Sequence, residues 1–256
     1  MLLAIDIGNT NVVFGIYNKD KLIAAFRQRT SLNITADEVA TYLHSMFGLK
    51  SLHFSDIDGI IIASVVPPVL DTYVNVCEGY FKSVPLIVGP GIKTGIQILY
   101  ENPKEVGADR IVNAVGALEK YKSSSIIVDF GTATTFDAVS SKRGYLGGAI
   151  APGIGISMEA LFTRTSKLPR VDFKKPPSII GKNTVNSIQA GTVFGYIGIV
   201  ENIVKNMKKE MDEENILVIA TGGYAEVIAN ESSSINIVDK DLTLDGLRYI
   251  YERNLG

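Results

Sequence analysis

The sequence predicts an α/β protein built from two similar halves that face a shared cleft. Short apolar runs typical of buried strands alternate along the chain with helical patterns, as in α/β folds. The pattern also repeats: Asp6 and Asp129 each end a strand pattern at an Asp-x-Gly turn, with an offset of 129 − 6 = 123 residues. An offset close to half of the 256 residues favours duplication over chance recurrence of a common turn. A hydrophobic fraction of 46% is ample for a packed core.

The first half is predicted to run strand, hairpin, helix, strand, helix, helix. Residues 2–7 form an apolar strand, and residues 12–17 and 22–29 flank the polar turn Asn18-Lys19-Asp20-Lys21, as in a β-hairpin. Thr35 and Glu38 have capping-box spacing, which predicts a helix from there to about Gly48. The remaining elements of this half are a buried strand at 60–65, a helix at 69–81 after two prolines, and a helix at 107–121.

The second half repeats the opening pattern of strands. Strands are predicted at 125–130, 135–140 and 145–150, with the turn Ser141-Lys142-Arg143-Gly144 in the place of the first polar turn. One long helix at 184–211, a strand at 216–221 and a closing helix at 242–253 complete it. We therefore expect two domains, residues 1–118 and 119–256.

Composition excludes several classes of protein. Lys and Arg total 25 against 27 Asp and Glu, a net charge of −2, so no basic face for nucleic acid is expected. One cysteine and two histidines exclude an internal disulfide, a zinc cluster and an H-E-x-x-H helix. Asp6 interrupts the apolar N-terminus and Pro67-Pro68 breaks the longest apolar run, so neither a signal peptide nor a membrane span is predicted. A cytoplasmic protein is expected.

The turn Asp6-Ile7-Gly8-Asn9-Thr10 has the composition of a phosphate cradle. Its backbone N–H groups and the Thr10 hydroxyl can bind a polyphosphate. Asp6 repels phosphate unless a cation lies between them, most simply hydrated Mg²⁺. The alternative is that Asp6 only caps a turn in which Gly8 supplies a positive φ. The second copy at Asp129 favours the functional interpretation.

A second candidate site is Gly107-Ala108-Asp109-Arg110 at a predicted helix start, with Tyr100 just before it. A cation at the positive end of a helix needs an anionic partner, which is either a neighbouring acid or a substrate carboxylate. Asp109 can then act as a general base on a substrate hydroxyl. Residue spacing alone leaves both interpretations open. Residue spacing also leaves two interpretations open for Thr221-Gly222-Gly223. This segment is either a simple strand-to-helix turn or a helix start that binds phosphate.

Standard nucleotide loops do not fit this sequence. Gly181-Lys182-Asn183-Thr184 has Asn where a P-loop needs Ser or Thr directly after Lys. Gly153-Ile154-Gly155 lacks the third glycine of a dinucleotide fingerprint, so Gly153 is expected to cap a helix.

Taken together, the motifs resemble the type III pantothenate kinases of the actin, sugar-kinase and chaperone-ATPase superfamily. The resemblance runs nearly the full length and rests on an ordered set of motifs: Asp6-Ile7-Gly8-Asn9-Thr10, Tyr100, Gly107-Ala108-Asp109-Arg110, Asp129-Phe130-Gly131-Thr132-Ala133-Thr134, Gly147-Gly148-Ala149-Ile150-Ala151-Pro152-Gly153, Gly181-Lys182-Asn183-Thr184 and Thr221-Gly222-Gly223. It implies two duplicated ribonuclease-H-like domains and ATP-dependent phosphorylation of pantothenate, the first step of coenzyme A synthesis.

The resemblance also implies residue roles. Asp109 is similar to the family's proton acceptor, and Asp129 to its ligand for a monovalent cation, K⁺ or NH₄⁺. The implied ATP contacts are Asp6, Ile7, Gly8, Asn9, Thr10, Asn11, Val12, Val13 and Thr132. The implied pantothenate contacts are Tyr100, Gly107, Ala108, Asp109, Arg110 and Thr184. A homodimer, with the long helix near its interface, is implied as well.

Two alternative functions are compatible with the sequence. One is a related kinase acting on a sugar or a small acid, although a neutral sugar has no need of the Arg110 guanidinium beside Tyr100. The other is a non-catalytic ATP-binding regulator, which would be free to lose Asp109.

Overall fold

Ten strands and seven α-helices are formed by residues 1–255, the part of the chain that the computed structural model describes. The strands are β1 Leu2–Ile7, β2 Asn11–Asn18, β3 Lys21–Arg29, β4 Gly59–Ser64, β5 Leu86–Ile87, β6 Ser125–Phe130, β7 Ala133–Ser140, β8 Gly144–Pro152, β9 Leu217–Gly222 and β10 Ile237–Val238. The helices are α1 Ala36–Gly48, α2 Pro67–Tyr80, α3 Ala108–Tyr121, α4 Ile154–Arg164, α5 Thr184–Met211, α6 Ala225–Ala229 and α7 Leu242–Asn254.

The two sheets have the same topology, which confirms the predicted duplication. Their strand orders are β3-β2-β1-β4-β5 and, read from the matching edge, β8-β7-β6-β9-β10. In each sheet the first three strands form an antiparallel meander of 6, 8 and 9 residues, and the last two add in parallel. The register shift between Ile16 and Tyr17 recurs between Ala138 and Val139. A shared irregularity is stronger evidence of duplication than shared strands, because bulges are conserved features.

Local sequence signals explain most helix starts. Thr35 caps α1, and the reciprocal hydrogen bonds with Glu38 form the predicted capping box. Helix α2 begins at Pro67, two residues before the predicted start. Proline is favourable at the first helical position, because the N–H that it lacks would have no acceptor within the helix. Gly153 lies directly before α4, as expected.

The chain divides into two compact units. The first comprises Met1–Ile96, Asn102–Glu119 and Leu242–Gly256, and the second comprises Gln97–Glu101 and Lys120–Asp241. This division differs from 1–118 and 119–256 in three places: the closing helix joins the first unit, a five-residue segment joins the second, and the central boundary follows Glu119.

Packing explains why α7 belongs to the first unit. Leu244, Leu247 and Ile250 are buried in a cluster that includes side chains of β1 and β4. Helix α7 approaches α3 so closely that a Cβ on Gly246 would overlap the Val112 carbonyl oxygen. The packing of α7 joins elements that are far apart in the sequence, so it costs conformational entropy. Burial of apolar surface, which contributes about 25 cal/mol per Å², offsets that cost.

The second unit has its own core, built on the buried face of α5. Val193, Val200 and Val204 lie in one cluster with Ile126 and Val128 of β6. The apolar positions of α5 follow helical spacing, as expected for a core face. Among residues 1–255, no helix is both long and apolar enough to cross a membrane.

Candidate functional site

The β1–β2 turn presents backbone groups at the end of a buried strand. The Gly8 N–H donates to the Asn11 carbonyl at 3.0 Å, while Asn9 and Thr10 are exposed. Gly8 does not lie in the left-handed region, so the interpretation that it supplies a positive φ is wrong. A Cβ at this position would lie 3.0 Å from the Asn11 oxygen, so close approach of the backbone explains the glycine.

Thr30 holds this turn from the adjoining strand end. Its hydroxyl donates to the Gly8 carbonyl at 2.6 Å, and its N–H donates to the Thr10 carbonyl at 3.0 Å. No sequence motif indicated a role for Thr30. Extending the predicted hairpin beyond the Asn11–Arg29 pair would have placed Thr30 beside the turn.

The start of α3 brings Asp109 and Arg110 into one compact arrangement. The Arg110 N–H donates to Asp109 Oδ1 at 2.8 Å, and the Arg110 side chain is only 7% exposed. A Cβ on Gly107 would lie 2.5 Å from the same carboxylate oxygen. The glycine at 107 therefore leaves the space that the Asp109 carboxylate occupies.

The Asp109 carboxyl group has an unusual affinity for protons. Burial raises the pKa of Asp109 above its usual range, and the hydrogen bond and the positive charge of Arg110 offset only part of this effect. A raised pKa makes a carboxylate a better proton acceptor while the nearby guanidinium still favours its ionised form. Asp109 is thus also a neighbouring acid for Arg110, so both interpretations of the arginine remain compatible with the geometry.

Val65 connects the two motifs of the first unit. Its N–H donates to the Ile7 carbonyl at 3.0 Å, and its Cγ1 lies 3.7 Å from the place of a Cβ on Gly107. The end of β1 and the start of α3 therefore adjoin the same residue. Nothing in the local sequence pattern distinguishes Val65 from a residue at any other strand end.

Oxygen atoms converge at the end of β6 in the second unit. Asp129 pairs with Thr135 of β7 and with Thr221 of β9. Gly222, with φ of +89°, lies so close that a Cβ would be 2.6 Å from Asp129 Oδ1 and 2.7 Å from the Phe130 carbonyl oxygen. Carboxylate and carbonyl oxygens are the ligands that hard cations prefer.

Two further turns lie at the same end of β6. Thr132 is exposed in the β6–β7 turn, and a Cβ on Gly153 would overlap the Thr132 carbonyl oxygen. The Gly153 turn therefore packs against the β6–β7 turn, and the Gly222 turn packs against Asp129 and Phe130 at the end of β6. Close backbone approach explains why the motifs at these positions contain glycine.

Tyr100 and Thr184 occupy separate places in the second unit. Tyr100 is half-buried, with its ring over Gly147. Thr184 is the first residue of α5, behind the N-cap Asn183, and is exposed. It lines a cavity of about 490 Å³ with Ser157, Leu161, Leu168, Ser187, Ile188, Gly191, Thr192 and Tyr196. That volume is in the range of small-molecule sites.

Within the described residues, no three His, Cys, Asp or Glu side chains are arranged to hold a metal ion.

Comparisons with known proteins show which family this sequence resembles. A family model described as type III pantothenate kinase matches residues 2–206. A type III pantothenate kinase of Citrifermentans bemidjiense is 58% identical over 254 residues, covering 99% of this chain and all of that protein.

Solved structures with low sequence identity share the fold. A Campylobacter jejuni protein, described as a candidate Baf family transcriptional activator, has a TM-score of 0.62 at 19% identity, covering 99% of this chain and 98% of that one. An inorganic polyphosphate/ATP-glucomannokinase of Arthrobacter has a TM-score of 0.50 at 14% identity, with 99% of each chain covered.

Proposed function

The chain belongs to the type III pantothenate kinase family, and from that premise we propose that it transfers the γ-phosphoryl group of ATP to the primary hydroxyl of pantothenate. This reaction opens coenzyme A synthesis. The observation that carries the proposal beyond family membership is the half-buried carboxylate of Asp109 at the start of α3, whose pKa is raised by partial desolvation. A non-catalytic regulator has no need of such a base.

In this reaction Asp109 accepts the proton of the substrate hydroxyl. The hydroxyl oxygen forms a bond to the γ-phosphorus, the bond from that phosphorus to the β,γ-bridging oxygen breaks, and ADP leaves with the electron pair. Little covalent chemistry is required of the protein, because phosphoryl transfer depends mainly on alignment and on neutralisation of charge. Asp109 supplies the alignment of the attacking oxygen as well as the basic atom.

ATP is assigned to the two Asp-x-Gly turns. The proposed contacts are Asp6, Ile7, Gly8, Asn9, Thr10, Asn11, Val12, Val13 and Thr132. The exposed positions of Asn9 and Thr10, and the tight Gly8–Asn11 hydrogen bond beneath them, support a backbone cradle for phosphate. Thr132 is likewise exposed in the second turn.

Two ions complete the proposed chemistry. Mg²⁺ held near Asp6 through water, and K⁺ or NH₄⁺ held by Asp129, supply positive charge against the phosphate oxygens. Two oxygen ligands support a hard monovalent cation at this site. The Asp129 carboxylate and the Phe130 carbonyl both face the position that a Cβ on Gly222 would occupy, and glycine leaves that position empty.

Pantothenate is assigned to residues that match its chemistry. The Arg110 guanidinium binds the substrate carboxylate, and Asp109 faces its hydroxyl. The further proposed contacts are Tyr100, Gly107, Ala108 and Thr184. The low exposure of Arg110 supports a strong ion pair, because partial desolvation strengthens charge-assisted hydrogen bonds.

Coupled ADP release tests the proposed function directly. Purified protein with ATP and Mg²⁺ should release ADP when pantothenate is added, and release should rise further with K⁺. Glucose and glycerate serve as controls for a sugar kinase and a small-acid kinase. ADP release that is independent of pantothenate, or that prefers a control substrate, would sink the proposal.

The monovalent-cation site yields a separate prediction. Replacing Asp129 by Ala removes the only charged ligand proposed for K⁺, so activity should be low and should no longer respond to K⁺ between 0 and about 100 mM. Titration of K⁺ at saturating ATP and pantothenate measures this. Asp212→Ala, at the exposed residue after α5, is the control and should respond like the unaltered protein. A normal K⁺ response in Asp129→Ala would place the ion elsewhere.

The hydroxyl of Thr30 gives a prediction for the ATP turn. Thr30→Val keeps the shape but removes the 2.6 Å hydrogen bond to Gly8, so KM for ATP should rise about fivefold with KM for pantothenate unchanged. Thr30→Ser keeps the hydroxyl and should restore most of the affinity. Equal KM values for ATP in Thr30→Val and the unaltered protein would contradict the positioning of this turn by Thr30.

A homodimer in the cytoplasm is proposed as the working form. Apolar side chains of α4 and of the segment before α5 are exposed, namely Ile156, Leu161, Phe162, Ile179 and Ile180, and a second copy would cover them. Sedimentation equilibrium tests this, and a monomer at micromolar concentration would refute it. A single, buried, unpaired cysteine, Cys77, supports a reducing compartment.

A further inference from the structure

A five-residue segment, Gln97–Glu101, groups with the second unit although the chain on both sides of it belongs to the first. It carries Tyr100, a proposed contact of pantothenate. Backbone hydrogen bonds to Tyr145 of β8 hold it there. The Tyr145 N–H donates to the Gln97 carbonyl at 2.9 Å, and the Leu99 N–H donates to the Tyr145 carbonyl at 2.8 Å. Residue Ile98 thus forms a parallel bridge with Tyr145.

Two glycines of β8 make room for this segment. Gly144 has φ of +95°, and a Cβ there would overlap the Gln97 carbonyl oxygen. Gly147 has φ of +130°, and two ring carbons of Tyr100 lie 3.7 Å from the place of its Cβ. The left-handed backbone and the absent side chains therefore let the Tyr100 ring lie directly over β8.

The side chain of Tyr145 lies beside the same ring. The two ring centroids are 6.4 Å apart, with the planes inclined at 50°. Tyr145 is fully buried, and its hydroxyl donates to Asp137 Oδ1 at 2.8 Å. Asp137 is also fully buried, and the Thr135 hydroxyl donates to its other oxygen at 3.3 Å. Hydrogen bonds to a buried carboxylate are strong and directional, so they fix the Tyr145 ring.

We propose that Tyr145, held by Asp137, is a positioning residue that presents the Tyr100 ring to pantothenate. Tyr145 acts in two ways, through the backbone hydrogen bonds to residues 97 and 99 and through its ring against Tyr100. A binding side chain held in place before the substrate arrives loses less conformational entropy on binding. The inference rests on the proposed function, since it concerns the affinity for pantothenate.

Replacing Tyr145 by Phe tests the inference, because it keeps the ring and removes the hydroxyl. KM for pantothenate should rise about three- to tenfold, the effect of losing one hydrogen bond to a charged group through a neighbouring ring, while KM for ATP stays unchanged. In a Tyr100→Ala background the same replacement should have no further effect on KM for pantothenate. If Tyr145→Phe folds poorly, Asp137→Asn is the second variant, with the same expectations.

A matched control is available in the same unit. The Tyr121 hydroxyl donates to Asp239 Oδ2 at 2.8 Å, so Tyr121→Phe removes a similar hydrogen bond from the end of α3 rather than from β8. Its melting temperature should fall with no change in KM for pantothenate. Two results would show a structural role only and overturn the inference. One is a rise of KM for both ATP and pantothenate in Tyr145→Phe. The other is a rise of KM for pantothenate that is as large in the Tyr100→Ala background as in the otherwise unaltered protein.

Hydrogen exchange separates this inference from the proposed function. In Tyr145→Phe, without any substrate, the amides of residues 97–101 should exchange faster relative to β6, since their tether is loosened. Unchanged exchange in that segment overturns the positioning role whatever the activity. The opposite combination is faster exchange in Tyr145→Phe together with no phosphorylation of pantothenate by the unaltered protein. That result would refute the proposed function and the substrate, but not the tethering of residues 97–101 by Tyr145.

Discussion

Asp109→Asn is expected to lower kcat about 10²- to 10⁴-fold, the usual contribution of a positioned general base. The amide keeps an oxygen that accepts the hydrogen bond from the Arg110 N–H, so the start of α3 should retain its geometry. Pantothenate binding should persist within a few-fold by isothermal titration calorimetry with a non-hydrolysable ATP analogue. Abolished binding with substantial residual turnover would contradict the role of Asp109.

The pH dependence provides a second measurement of the same residue. Burial raises the pKa of Asp109, and only the ionised form accepts a proton, so kcat should rise with pH through a value above that of an ordinary aspartate. This acid limb should be absent from the residual activity of Asp109→Asn. Asp20→Asn, in the exposed turn between β2 and β3, is the control and should keep the limb.

The stability of the variant has a definite expected sign. A carboxyl group whose pKa is higher in the folded state stabilises the protein below its unfolded pKa, and this contribution is lost as pH rises through the folded pKa. At neutral pH the ionised Asp109 therefore opposes folding. We expect the melting temperature of Asp109→Asn to be no lower than that of the unaltered protein, which separates lost catalysis from lost folding.

Arg110→Ala is expected to raise KM for pantothenate about 10- to 100-fold, with a much smaller effect on kcat, because a hydrogen bond between charged groups contributes about 1.5–3 kcal/mol. The KM of Arg110→Lys for pantothenate should lie between those of the unaltered protein and Arg110→Ala, since an ammonium group keeps the charge but cannot form the bidentate pair. Steady-state kinetics with varied pantothenate measure both effects. An unchanged KM in Arg110→Ala would remove the carboxylate clamp from the proposal.

A substrate analogue makes the Arg110 test specific. With the alcohol analogue of pantothenate, in which CH₂OH replaces the carboxylate, the unaltered protein and Arg110→Ala should have similar KM values. Arg248→Ala is a matched control, because Arg248 is also 7% exposed but lies on α7, where it pairs with Glu252. It should lower stability without selectively raising KM for pantothenate.

Most of the fold could be predicted because its elements carry local signals. The capping box at Thr35 and the hairpin around the first polar turn were predicted within one or two residues of the observed bounds. Strands β5 and β10 were missed, because two residues provide no periodicity to recognise. Their pairing depends on β4 and β9, residues far from them in the sequence.

The candidate site divides in the same way. The turns at Asp6 and Asp129 and the helix start at Asp109 could be proposed from the sequence, because each motif consists of consecutive residues. Thr30 and Tyr145 could not, because each acts through a hydrogen bond to a residue distant in the chain. A single threonine or tyrosine in a strand pattern carries no local sign of such a partner.

Sequence alone determined the duplicated α/β halves and the family, and it named the carboxylates proposed for catalysis, since strand and turn patterns express local backbone preferences and motif chemistry. Tertiary structure decided that α7 and residues 97–101 leave the halves in which they are encoded, because long-range burial and backbone pairing outweigh chain order. It also decided the raised pKa of Asp109, because desolvation depends on what surrounds a carboxyl group rather than on its neighbours in the chain.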